Sequence, residues 1–341
     1  MAINQKSTFR INLTGDNDRD RQNIFNYIVE NVPNEDTEPE VFVLAATFLG
    51  KDSKEIHNEI RLNPEVLVPV CLQLMKEEKI NLLRRAEIGN ALVKYSDSHG
   101  KILDAKAPKK PLFNLTNEYE QALYSKLSQQ NYQDILVTYP FFQIYFQRGL
   151  IFEKISDYPN AFRMYSKAHQ WNPFNPKAII KILEALKYDK RASDIFKLSS
   201  WFLQVVYSLS NISAALRFAG YALYLEGKFE QAYAYYYQSI VYDDKVLPSN
   251  FNEEITSVLT ALKKEGPYEL TRSQIKKLFA AGRDKPFPSE IAFDTIRALI
   301  IEHYHKERYV DVLRYATHYV FIRPNDEKVS RILKVSKLNL N

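Results

Sequence analysis

Apolar residues recur along this chain at the three- and four-residue spacing of helices lying against a core. One short alternating patch, Phe9 to Leu13, lies in a tail rich in Asn, Asp, Arg and Thr, and residues 1–22 read as irregular. Ile24, Phe25, Ile28 and Val29 then start a helical stripe. Thr37 with Glu40, Pro39 in the first turn and Gly50 after Phe48-Leu49 carry the start and stop of a helix. Asp52 with Glu55 opens another that Asn63-Pro64 closes, and Pro64 begins a third. Leu82, Leu83, Ala86, Leu92 and Val93 mark a fourth, expected to end before Ser96-Asp97-Ser98-His99-Gly100. Residues 23–100 therefore predict an N-terminal helical bundle. Residues 101–117, with Ala107-Pro108-Lys109-Lys110-Pro111, predict a linker, and residues 118–341 a second helical region.

A repeat emerges in that second region. With Phe142 as position 1, Tyr145 falls at position 4, Gly149 at 8, Phe152 at 11, Tyr158 at 17, Ala161 at 20, Tyr165 at 24, Ala168 at 27 and Pro173 at 32. Small residues at 8 and 20 let two antiparallel helices approach, bulky ones at 4, 11 and 24 fill the gaps, and Pro ends the second helix. Ser213 starts the same pattern with Leu216, Gly220, Leu223, Phe229, Ala232, Tyr236 and Ser239, though Asp244 stands where Pro is usual. Gly149 and Gly220 are 71 residues apart, two periods plus three, so a degenerate unit lies between them.

This pattern resembles the tetratricopeptide repeat (TPR), a helix-turn-helix unit of about 34 residues, with Arg148 departing at position 7 where a Leu is usual. The resemblance implies an all-α fold: a right-handed α-solenoid of TPR-like helix pairs preceded by the N-terminal bundle. Clear repeats are expected at 142–175 and 213–246, and degenerate ones at 176–212, 247–292 and 293–326. Helices are expected near 252–264 and 273–281, and a capping helix at 327–339 closes the stack. A half-formed unit at Tyr119 to Tyr139 is expected to join solenoid and bundle.

Composition narrows the chemistry. Nine Gly in 341 residues is under half the average usage of about 7%, which disfavours nucleotide folds built on glycine loops. The single cysteine, Cys71, cannot form an internal disulfide and is expected to fill core volume. No apolar leader and no apolar run of about 20 residues is present, from which a soluble, cytoplasmic protein is expected. Residues 1–110 hold 16 basic and 17 acidic side chains, against 30 and 24 in residues 111–341, so the mild basic excess sits in the solenoid half. The acidic balance of the first part argues against a DNA-binding helix-turn-helix around Arg84 to Lys94.

No catalytic constellation is found. His303 and His305 are two residues apart and point away from each other on a helix, so they cannot share a metal. No G-x-S-x-G, Walker loop, H-E-x-x-H or cysteine pair occurs. The chain is expected to be no enzyme and to need no cofactor or metal. The run Tyr233-Ala234-Tyr235-Tyr236-Tyr237 is expected to pack.

The repeat resemblance implies a site at positions 2, 5, 9 and 12 of successive first helices, which line a concave groove. These are Gln143, Phe146, Leu150 and Glu153, then Lys177, Ile180, Glu184 and Lys187, then Ala214, Arg217, Tyr221 and Tyr224, and finally Asp294, Arg297, Ile301 and Tyr304. The Lys and Asn set by which some family members clamp a C-terminal carboxylate is absent. The candidate groove, Gln143, Phe146, Arg217, Tyr221, Tyr224, Arg297 and Tyr304, instead suits another protein's extended or helical segment with apolar and acidic residues. The expected function is non-catalytic protein binding, as adaptor, scaffold or chaperone. The second reading is an RNA-associated helical-repeat protein using Lys263, Lys264, Lys276, Lys277 and Arg283.

Overall fold

A computed structural model describes residues 19, 53–62, 64–76, 78, 80–106, 111–242, 251–281 and 289–340. The expected tail apart from Arg19, the stripe at Ile24 to Val29, the helix between Thr37 and Gly50, and the positions of Asp244 and Arg283 lie outside them. The described residues form fifteen α-helices and no strand. In chain order these are α1 Ser53–Leu62, α2 Pro64–Lys76, α3 Leu82–Lys106, α4 Glu118–Ser128, α5 Phe141–Lys154, α6 Tyr158–Trp171, α7 Pro176–Tyr188 and α8 Ala192–Val205. They continue as α9 Leu209–Leu225, α10 Phe229–Val241, α11 Phe251–Ala261, α12 Arg272–Ala281, α13 Glu290–His305, α14 Tyr309–Ile322 and α15 Glu327–Leu338. The chain divides into two compact units, 1–112 with 138–168, and 113–137 with 169–341.

In the first unit α3 packs on α1, α2 and α5. The stripes Ile56 and Ile60, Leu67, Cys71 and Met75, and Ile88 and Leu92 meet Ile144 and Ile151 in one apolar cluster. Cys71 is fully buried there, and burial pushes its thiol up to about 12, so it fills core volume as a small hydrophobe. Helix α3 does not stop before Ser96 as the polar run predicts. The Ser96 and Ser98 hydroxyls donate to the carbonyls of Leu92 and Lys94 (2.8 and 3.1 Å), four residues back. His99 stacks on Tyr95 with ring centroids 5.8 Å apart. Ser96, Ser98 and His99 thus each have a use inside the helix, and the run makes no turn.

One glycine in each of the two clearest expected repeats explains their spacing. A Cβ on Gly149 would lie 2.4 Å from Cε1 of Tyr165, whose hydroxyl donates to Glu153 at 2.5 Å, so only glycine admits that ring. At Gly220 the same atom would lie 3.2 Å from the Tyr236 ring. Gly149→Ala should therefore cost about 1–2 kcal/mol after its gain in helix propensity, whereas Gly220→Ala should fall within about 1 kcal/mol of neutral. Paired urea titrations check this contrast, and equal effects at the two sites would refute it.

Arg148 occupies the position of the usual Leu and is buried. Its Nη2 donates to Asn90 Oδ1 at 2.7 Å and its guanidinium lies 3.8 Å from the Phe152 ring centroid, but Nη1 has no hydrogen-bond partner. Burial lowers its pKa to about 10 despite the attraction of Asp157. Arg148→Leu removes this desolvation cost, keeps an apolar contact for the Phe152 ring and leaves the Asn90 amide, which is exposed, to water. It should stabilise the protein by about 1–3 kcal/mol, read as a raised thermal midpoint.

In the second unit α7 packs on α8, α8 on α9, α9 on α10, α10 on α11 and α12, α13 on α14, and α14 on α15. Helices thus pair mainly with chain neighbours. Helix α13 departs from this order, because it also lies against α4 and α8. An open stack in which each repeat touches only its neighbours would not place it there. An aromatic seam accounts for the return: the Tyr119 hydroxyl donates to Val205 O at 2.8 Å, and Tyr207 lies 4.5 Å from Tyr119 and 5.3 Å from Tyr315 between ring centroids. Glu118 closes the seam with Arg308 at 2.9 Å and with Nε2 of His303 at 3.1 Å. Burial lowers the His303 pKa, and the Glu118 carboxylate only partly opposes it. Helix α15, at the position expected for the terminal helix, is N-capped by Asp326, whose Oδ1 accepts from Val329 N at 3.1 Å.

Candidate functional site

Arg217, Tyr221 and Tyr224 stand at i, i+4 and i+7 of α9 and therefore share one face. Arg217 Nη1 donates to Ser213 Oγ at 2.9 Å. Tyr221 receives Lys187 of α7 over its ring, with Nζ 4.9 Å from the centroid. The same ammonium pairs with Glu254 of α11. Glu254 also accepts from the Tyr236 hydroxyl, and burial first and this carboxylate second push the Tyr236 phenol well above its ordinary value. Lys187 and Glu254 thus meet beside α9, with Tyr221, Tyr224 and Tyr236 around them. The space left open is a cavity of about 250 Å³, below the range of about 300–1,000 Å³ usual for small-molecule pockets.

The other expected groove residues have different surroundings. Arg297 Nε donates to Asp326 Oδ2 at 2.7 Å, and the Tyr319 hydroxyl donates to the same oxygen at 2.9 Å. Burial raises the Asp326 carboxyl, but Arg297, the Val329 amide and Tyr319 together outweigh it and hold it below the usual range. Tyr304 packs edge-on to Tyr309 at 6.3 Å. Both residues fasten α13 to its neighbours and do not line the cavity at Tyr221. Gln143 and Phe146 belong to the first unit. Phe146 stacks on Phe142 at 5.6 Å, and the buried Oε1 of Gln143 has no hydrogen-bond partner.

Two features escape the sequence reading. Glu120, 1% exposed, accepts through Oε2 from Thr116 N (2.6 Å), Thr116 Oγ1 (2.9 Å) and Asn172 Nδ2 (2.7 Å), and through Oε1 from Asn175 Nδ2 (3.2 Å). Four donors hold a carboxylate that is almost wholly out of solvent, so it ties loops together and is not placed to meet a substrate. The second is a groove of about 940 Å³ where α10, α12, α13 and α14 meet, lined by Val241, Arg272, Lys276, Ile291, Phe321 and Arg323 among others. Its only sequence signal is a set of apolar residues off the buried stripes, because the helices that form it are distant in the chain.

Among the described residues no group of three or more His, Cys, Asp or Glu side chains is placed to hold a metal ion. None of the described helices is long and apolar enough to cross a membrane. Compared with models of known protein families and with curated proteins, the chain matches none.

Proposed function

We propose that this chain is a non-catalytic protein-binding module of the cytoplasm, an adaptor, scaffold or chaperone. Its helix pairs act as TPR-like units of a right-handed solenoid, preceded by an N-terminal helical bundle. The observation that carries this reading is the treatment of Glu254. A carboxylate on an amphipathic helix is held by an ammonium and a phenol, and the ammonium itself lies over an aromatic face, which is the recognition expected for a segment with acidic and apolar side chains. Helix α11 uses that chemistry within the chain, and a partner segment would use it by extending the same face through Arg217 and Tyr224.

Affinity capture from a native lysate with the full chain tests this, run beside an Arg217→Glu, Tyr221→Ala double variant and analysed for protein and RNA. The expected result is a discrete protein that the variant loses. The RNA-associated reading has one observation in its favour, the exposure of Lys263, Lys264, Lys276 and Lys277. Recovery of RNA that elutes with modest salt, in place of a protein, would favour it.

A further inference from the structure

We propose that the groove between α10, α12, α13 and α14 is a second docking surface, and that its occupant is a segment of a partner protein combining acidic with aliphatic or aromatic side chains. The inference rests on the protein-binding reading above but concerns a different face. Two observations carry the surface and a third its occupant. The groove, about 940 Å³, is nearly four times the cavity at Tyr221 and is open to solvent. Its apolar lining is exposed: Val241 is 48%, Ile291 41% and Phe321 53% accessible. Exposed apolar surface gathered in a concavity with a polar rim marks an interaction site far more often than scattered apolar residues do.

Charge selects the occupant. The charged residues lining the groove are Arg272, Lys276 and Arg323 against Glu290 alone. Glu290 already pairs with Arg323 at 2.5 Å, whereas the Lys276 ammonium, exposed on α12, has no ion-pair partner among the described residues. A carboxylate entering beside Ile291 and Phe321 would find a cation and an apolar surface together. A nucleic-acid strand fits less well, since it needs a track of cations and stacking platforms. Here aliphatic side chains interrupt the cations, and a carboxylate stands among them.

The test is selection of a displayed library of random 16-residue peptides on the full chain, followed by fluorescence anisotropy of the enriched peptides. Lys276→Glu, Phe321→Asp and the Arg217→Glu, Tyr221→Ala double variant serve as comparisons, with a labelled uridine-rich oligonucleotide as a further probe. Both groove positions are exposed, so circular dichroism should show the single variants folded. The expected result is enrichment of peptides bearing Asp or Glu with Leu, Ile or Phe. Their affinity should fall about tenfold or more with Lys276→Glu and with Phe321→Asp, and should be kept in the double variant. Peptides indifferent to both groove substitutions but lost in the double variant would overturn this inference and leave the protein-binding reading intact. No acidic peptide enriched, with the oligonucleotide bound through Lys276, would overturn both.

Discussion

Glu120→Ala is expected to destabilise the second unit by about 3–5 kcal/mol, because it leaves several buried donors without their acceptor at about 1–3 kcal/mol each. The magnitude follows from what the carboxylate does. Glu120 is the third residue of α4, whose cap is Asn117, and its backbone N–H bonds Asn117 Oδ1 at 3.0 Å. Its side chain reaches back to the Thr116 N–H in the manner of a capping box. It also holds Asn172 and Asn175, in the turn that leads into α7. Asn175 in turn caps α7 through Lys177 N at 3.1 Å. Truncation therefore strips an acceptor from two helix starts and leaves buried Asn amides without it. Glu120→Gln keeps the shape but turns an amide N–H toward other donors, and should cost about 1–3 kcal/mol. Urea titration followed by far-ultraviolet circular dichroism measures both. A loss below about 1 kcal/mol for the alanine variant would show that water replaces the carboxylate freely.

How far this could be read from the sequence depends on the range of each interaction. Local signals worked: α2 begins at Pro64 as expected, and α11 and α12 lie close to the spans expected for them. Gly149 and Gly220 could be singled out because the aromatic ring each admits lies 16 residues on in the same helix pair. Ser96 to Gly100 misled because serine ends helices in the absence of other information, and the partners that keep it helical include Tyr139, 43 residues away. Nothing near Glu120 in the chain announces its burial, since its donors at Asn172 and Asn175 are more than 50 residues distant. Arg217, Tyr221 and Tyr224 were named through the repeat resemblance, whose offsets place them on one face of a helix. The engagement of that face with Lys187 and Glu254 was not legible, because those residues sit on α7 and α11.

The return of α13 onto α4 and α8 has the same origin and a functional consequence. A strictly open stack offers one continuous concave face, and sequence offsets would then assign the site to equivalent positions in every repeat. Here Arg297 sits at such a position but is committed to Asp326. The fold-back instead brings Ile291, Phe321 and Arg323 beside α10 and α12, creating concave surface where no repeat register would place it.

Phe279→Ala is expected to release α12 from α10, and with it to dismantle the large groove. Of the α12 side chains that are described, only Ile275 and Phe279 are buried, so the helix docks by a narrow stripe. Phe279 is fully buried with its ring stacked on Tyr235, centroids 3.9 Å apart and planes 5° from parallel. Loss of a buried Phe costs about 3–5 kcal/mol, and a stacked aromatic pair adds about 0.5–1.5 kcal/mol to simple area burial. A short, charged helix cannot hold its place against that loss, because isolated helices under about 12 residues are marginal in water. The effect should therefore be local: α12 undocks before the unit unfolds, which limits the loss of global stability to the docking energy of α12. Hydrogen exchange read by mass spectrometry should show amides of residues 272–281 losing protection about 100-fold or more, while those of α8 and α9 hold theirs. Phe279→Leu keeps most of the apolar volume and should retain most of the protection. Unchanged exchange at 272–281 in the alanine variant would mean that α12 is held by something other than this stack. A matching fall across α8 and α9 would mean that the helix is part of the unit's single core. If α12 alone is released, peptide binding that depends on Lys276 should vanish with it while Arg217 and Tyr221 keep their surroundings on α9.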